Sequence, residues 1–151
     1  MQWIVILEFG MRKCAESWES EITEVEMKSL LAAIRERYLK GEHLEIGTAA
    51  GGTLCRLISF YNKECGESPP FMVVDPFEYF PQQFETVCLN LQKHAIDPKG
   101  IKFVKSGSKE AFASISNQPP ELDFILVDGN HKIRYVTQDL RWVRFLRPGG
   151  L

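Results

Sequence analysis

Two segments place residues capable of chemistry where loops are expected. The first is Glu45-Ile46-Gly47-Thr48-Ala49-Ala50-Gly51-Gly52-Thr53. It follows a short apolar run and leads into a helical pattern. A glycine-rich turn at such a junction lets a ligand approach the backbone closely. Its Gly-x-x-x-Gly-Gly spacing is neither the Gly-x-Gly-x-x-Gly dinucleotide fingerprint nor a Walker loop, and no Lys-Ser/Thr follows. The second segment, Phe71-Met72-Val73-Val74-Asp75, comes one strand-helix unit later. A carboxylate at its end can accept hydrogen bonds from both hydroxyls of a ribose, each worth about 1.5–3 kcal/mol because the acceptor is charged. Alone, Asp75 would read as a solvated turn residue before Pro76. Behind the glycine loop, it favours a nucleoside ligand.

Two further loops carry polar groups. In Ser106-Gly107-Ser108-Lys109-Glu110, Ser108 is placed to cap the short helix that follows, and the same segment can touch an adenine edge. In Leu122-Asp123-Phe124-Ile125-Leu126-Val127-Asp128-Gly129-Asn130-His131, an acid and a histidine follow the most apolar run of the chain. Asp128 could ligate a metal or hold a ligand's ammonium group. His131 could act as a general base, since an unperturbed imidazole titrates near ~6.5. A hydrolytic metal site built from Asp128 and His131 would leave the glycine loop and Asp75 unexplained.

These loops need a frame, and the pattern supplies one. Residues 19–40 repeat apolar positions at helical spacing (Ile22, Val25, Met27, Leu30, Leu31, Ile34 and Tyr38), with Gly41 as the stop. Strands are then expected at 43–47, 71–75, 101–104 and 122–128. Helices are expected at 53–64, 80–94, 109–116 and 133–146, the last with Val136, Leu140, Val143 and Leu146 on one face. Strands alternating with helices imply a parallel sheet with right-handed crossovers. Ligands of such open sheets bind at the carboxyl ends of the strands, where the strand order reverses. The expected class is therefore α/β, a Rossmann-like parallel sheet in order 3-2-1-4 with helices on both faces.

Composition narrows the classes. The chain has 151 residues, 44% apolar and 25% charged, with 18 basic and 20 acidic residues and a net charge of -2. That suits one globular domain, and no basic block offers a nucleic-acid footprint. No segment approaches the ~20 apolar residues that span a bilayer. Cys14, Cys55, Cys65 and Cys88 form no C-x-x-C pair, so reduced thiols in a cytoplasmic protein are expected. Residues 1–18 read as an N-terminal extension, either an edge strand or a leader, ahead of a domain over 19–151.

Taken in order, these motifs resemble class I S-adenosylmethionine-dependent methyltransferases. Glu45-x-Gly47-x-x-x-Gly51 is similar to their motif I, and the run ending at Asp75 is similar to their second-strand acidic motif. The segment from Leu122 to His131, the pair Asp139-Leu140 and Leu146-Arg-Pro-Gly-Gly150 resemble the small-molecule O-methyltransferase branch. That branch includes macrocin O-methyltransferases, with catechol and caffeoyl-CoA O-methyltransferases more distant.

The resemblance implies that Glu45 and the backbone of Gly47, Thr48, Ala49 and Gly51 hold the methionine portion of the cofactor. It implies that Asp75 binds the ribose, that Ser108 and Lys109 lie beside the adenine, and that Asp128 lines the cofactor. In metal-dependent relatives that aspartate binds Mg²⁺. His131 falls where catechol-type enzymes carry a lysine base, and Ile133 replaces a tyrosine common in the group. The implied reaction is methyl transfer to a hydroxyl of a small molecule. In the family, Pro-Gly-Gly introduces a fifth strand, so Pro148-Gly149-Gly150 leads to the expectation that the C-terminal strands and most of the acceptor pocket are missing. Leu122–Val127 would then be an unpaired sheet edge, and a cofactor-binding module without catalysis is the competing reading.

Overall fold

The computed structural model describes residues 22–37 and 39–151. The chain runs α1 (Glu24–Arg37), β1 (Glu42–Ile46), α2 (Gly52–Cys65), β2 (Phe71–Asp75), α3 (Gln83–Lys93), β3 (Ile101–Lys105), α4 (Ser108–Ile115), β4 (Leu122–Val127) and α5 (Ile133–Asp139). A 3-10 segment, Leu140–Phe145, continues from α5. The four strands form one parallel sheet in the order β3-β2-β1-β4, as the alternating pattern predicts. The expected extension over residues 1–18, and with it Cys14, lies outside the described residues.

Helices cover both faces. Met27, Ile34, Leu54, Leu57, Val87 and Leu91 pack from α1, α2 and α3 onto Val73, Phe124 and Leu126. On the other face, Phe112 and Trp142 pack onto Leu44, Ile46, Met72 and Val74. Alternating side chains serve the two layers in turn. A bulge shifts that alternation in β4. Glu42 pairs with Leu122, but His43 pairs with Phe124, which leaves Asp123 as the extra residue. Leu122 and Phe124 therefore enter opposite cores.

Asp123 turns the bulge into a clasp. Its Oδ2 accepts the N–H groups of Lys40 at 3.1 Å and Gly41 at 2.5 Å, and Arg147 pairs with its Oδ1. Burial pushes this carboxyl up, but the bonds from Gly41, Arg147 and Lys40 together hold it below the ordinary range. A Cβ on Gly41 would lie 2.6 Å from Asp123 Cγ. That close approach gives Gly41 its place, while α1 already ends at Arg37. At the other end of α1, Thr23 and Glu26 form a capping box: Glu26 Oε2 accepts Thr23 N–H at 2.8 Å, and Glu26 N–H donates to Thr23 Oγ1 at 3.3 Å. Val25 falls on the solvent side, 74% exposed.

The outer side of β4 is partnered along its first half. Leu122 bridges to Leu146, Arg147 N–H donates to Leu122 O, and Ile125 N–H donates to Leu151 O at 2.9 Å. This corrects the expectation of a bare edge over Leu122–Val127. Cys55 is buried, Cys88 half-buried and Cys65 exposed, and all three are free thiols.

Candidate functional site

The carboxyl ends of the four strands open into a cavity of about 880 Å³, within the range of small-molecule and cofactor sites. Its walls come from the glycine loop, the loop after β2, the start of α4, and the β4–α5 loop. Gly47, Thr48, Ala49, Asp75, Ser108, Lys109, Asp128 and His131 all line it. Eight of the sequence-derived positions thus meet in one place. Glu45 and Gly51 do not reach the wall.

The local order follows from the switch point. β1 and β2 run side by side, so their loops leave the sheet together. Gly47, at φ +81°, donates its N–H to Val74 O at 3.0 Å. A Cβ there would sit 2.5 Å from Asp128 O and 2.6 Å from Gly129 Cα. The absent side chain lets the β1 and β4 loops touch. Gly51, at φ +83°, precedes α2, and a Cβ on it would lie 3.2 Å from Val87 Cγ1. Its task is the packing of α2 against α3.

Asp75 is 7% exposed and joins two loops. Its Oδ2 accepts Thr48 N–H at 2.9 Å, and its Oδ1 accepts Phe77 N–H at 2.5 Å and Gln83 Nε2 at 3.4 Å. An ionised carboxylate has about four acceptor positions; three are taken, so one remains for a ligand hydroxyl and a second opens only where the 3.4 Å contact of Gln83 yields. Burial pushes its acidity toward higher pKa, while the N–H groups of Phe77, Thr48 and Gln83 oppose that.

Glu45 lies one layer deeper, 1% exposed. Thr48 Oγ1 donates to its Oε2 at 3.0 Å, and its Oε1 is buried without a partner. Burial pushes this carboxyl well above the ordinary range, the charges of Asp128 and Asp75 add to the rise, and only the Thr48 hydroxyl opposes it. An orphaned buried acceptor beside two acids fits a cationic ligand group such as an ammonium.

The structure adds residues that the motifs did not single out. Gln83 is buried and accepts Tyr79 N–H at 2.9 Å while donating to Ala49 O at 3.0 Å. It thereby fixes the loop after β2, which holds left-handed residues at Phe77 and Gln82. Helix α3 consequently starts at Gln83 rather than at Phe80. Asn90 holds Ala50 O at 2.9 Å in the same way. A buried glutamine and asparagine within an amphipathic helix were the available signals.

Asp139 also lines the cavity, at 4% exposure. Burial raises its pKa, and a hydrogen bond from Ser108 opposes the rise. Ser108 is not a cap. Gly107 holds the N-cap position, and the Ser108 hydroxyl accepts Trp142 Nε1–H at 2.9 Å. The chain tightens to 3-10 geometry after Asp139, and this winding buries Trp142 completely. The expected apolar face of Val136, Leu140, Val143 and Leu146 stays only partly buried.

His131 and Lys132 are exposed at the cavity rim, and Ile133 beside them is 85% exposed. Among the described residues, no three His, Cys, Asp or Glu side chains gather as a metal ion requires. A Mg²⁺ ion at Asp128 would need oxygen ligands beyond this set.

An open parallel sheet of this order, with a glycine loop and a buried acid at its switch point, defines a Rossmann-like class I methyltransferase fold. Residues 44–151 match a family model described as a methyltransferase domain, and the chain belongs to that S-adenosylmethionine-dependent family. Among solved structures, a Bacillus cereus O-methyltransferase in complex with S-adenosylhomocysteine (SAH) superposes with a TM-score of 0.61 at 18% identity, over 84% of this chain and 54% of that one. A TDP-rhamnose 3'-O-methyltransferase of calicheamicin biosynthesis superposes with a TM-score of 0.66 at 15% identity, over 86% of this chain and 63% of that one. The chain therefore spans little more than half the length of these structural relatives. No curated protein sequence matches it. Among the described residues, no helix is long and apolar enough to cross a membrane.

Proposed function

We propose that the cavity binds S-adenosylmethionine and that the protein transfers its methyl group to a hydroxyl of a small molecule. One observation carries the reading: the glycine loop and the buried carboxylate of Asp75 line the same cavity at the switch point. The O-methyltransferase character of the structural relatives supports the choice of a hydroxyl acceptor.

When bound, the cofactor supplies an electrophilic methyl group on a sulfonium centre. The chain's own residues do the rest. Asp75 accepts the ribose hydroxyls while Thr48 and Phe77 hold it in place. The backbone of Gly47, Thr48 and Ala49 receives the methionine portion, backed by Glu45, whose unpartnered Oε1 lies one layer deeper, and by the Gly51 turn. Ser108 and Lys109 flank the base, and Asp128 lines the cofactor from the β4 side. His131, at the rim, takes the proton of the acceptor hydroxyl. Most of the acceleration comes from holding donor and acceptor at attack distance.

The test is calorimetric titration with S-adenosylmethionine, followed by transfer of a labelled methyl group to a panel of hydroxylated small molecules. Saturable binding and label in an ether product are expected. Absence of binding would overturn the reading at its base.

A further inference from the structure

Helix α3 holds the glycine loop through two buried amide side chains. Gln83 and Asn90 stand two turns apart and share one face of α3. Gln83 Nε2 donates to Ala49 O at 3.0 Å, and Asn90 Nδ2 donates to Ala50 O at 2.9 Å. Two consecutive carbonyls of the loop are thus pinned to one helix. Because a trans peptide is planar, each bond also sets the direction of the N–H that follows. Gln83 makes two further bonds. Its Nε2 reaches Asp75 Oδ1 at 3.4 Å, and its Oε1 accepts Tyr79 N–H at 2.9 Å. This pattern fixes the orientation of the amide. The flipped group would set its oxygen against Ala49 O and Asp75, and its NH2 against the Tyr79 N–H.

One side chain, 1% exposed and at the cavity wall, therefore joins the glycine loop, the end of β2 and the loop after β2. Backbone strain gathers at the same place. Of the four non-glycine residues at positive φ among the described residues, Ala49 and Phe77 lie in the segments that Gln83 ties, and Gln82 directly precedes it. Such conformations persist only where their surroundings hold them. We propose that Gln83 is a positioning residue that sets the glycine loop at a fixed spacing from Asp75, so that the two ends of one ligand engage together. The inference rests on the cofactor reading above, in which the loop receives the methionine portion and Asp75 the ribose. Without Gln83 the nucleoside end still meets Asp75, which Thr48 and Phe77 also hold. The amino-acid end must then order its own loop, and its contribution to affinity falls.

The test is calorimetry with SAH and with 5′-methylthioadenosine, which keeps the base, ribose and sulfur and lacks the amino-acid end. The unaltered protein is expected to bind SAH about a hundredfold more tightly, the worth of two charged hydrogen bonds. Gln83→Met removes all three bonds at similar volume, and Gln83→Glu keeps the acceptor for Tyr79 while removing both donors. In each variant the preference for SAH is expected to fall to about tenfold or less. Any change at Asp75 acts on the nucleoside end that both compounds share and cancels from their ratio. A merely structural role lowers thermal stability or weakens both ligands alike and leaves the ratio intact. An unchanged ratio in either folded variant overturns the inference. Equal binding of the two compounds by the unaltered protein also overturns it, with no variant needed. Binding of neither compound overturns the cofactor reading and this inference with it.

Discussion

His43 makes the stability of this protein depend on pH in a calculable way. Its ring is fully buried on β1 between Tyr61, Phe71 and Phe124, with Nε2 2.6 Å from Tyr61 Oη and Nδ1 2.8 Å from Gly41 O. Burial lowers its pKa from 6.5 to about 4, against the opposing pull of Gly41 O and the charge of Asp123. The unfolded chain thus takes up a proton that the folded chain resists. The contribution is complete above pH 6.5 and is lost as the pH falls from 6.5 toward 4. Its full span is about 3 kcal/mol at 1.36 kcal/mol per pH unit, of which about 2 kcal/mol is lost between pH 7 and pH 5. Urea unfolding of the unaltered protein and of His43→Gln at both pH values isolates this term, because the other titrating groups cancel in the difference. The unaltered protein should lose about 2 kcal/mol more than the variant. Parallel losses would show that His43 is charged in the folded state, or that its pocket admits water.

Three other perturbations have defined outcomes. Gly47→Ala forces a Cβ into the backbone of Asp128 and Gly129 from a left-handed position; unfolding should be easier by about 2 kcal/mol or more, and cofactor titration should show loss of binding in the folded fraction. Asp123→Ala leaves the N–H groups of Lys40 and Gly41 and the Arg147 guanidinium without their acceptor; denaturant unfolding should register a loss of about 1–3 kcal/mol, with cofactor affinity unchanged because the bulge lies at the opposite end of β4 from the Asp128 loop. His131→Ala should lower kcat by roughly 10²–10⁴-fold with little change in cofactor affinity; unaltered turnover across pH 6–9 would move the base elsewhere.

The frame could be read from sequence because strand and helix periods are strong signals at β1 through β4. The order β3-β2-β1-β4 followed from the alternation and from the glycine loop's need for a switch point. Details set by tertiary contacts were not accessible. Nothing in the local pattern says that Trp142 rather than Leu140 or Val143 enters the core, because that depends on the 3-10 winding after Asp139. Ser108 has the sequence context of a cap, yet the indole of Trp142, 34 positions on, claims its oxygen. Gly41 looks like a helix stop because its partner, Asp123, is 82 residues away. Asp75 is legible from its strand end and Glu45 only through the resemblance to motif I, and the loop-joining bonds of the first and the unpartnered oxygen of the second arise only when the loops meet.

The direct test of a ribose-binding role for Asp75 is a two-by-two calorimetric cycle. SAH and its 2′-deoxy analogue are titrated into the unaltered protein and into Asp75→Ala. Because Asp75 also holds Thr48 and Phe77, the variant should weaken both ligands, and overall weakening alone is uninformative. The informative quantity is the ratio between ligands. Loss of the hydroxyl should cost the unaltered protein about tenfold in affinity and the variant less than about twofold, the coupling expected of a charged hydrogen bond. Equal affinities of the two ligands for the unaltered protein, or the same ratio in both proteins, would contradict a nucleoside held at Asp75.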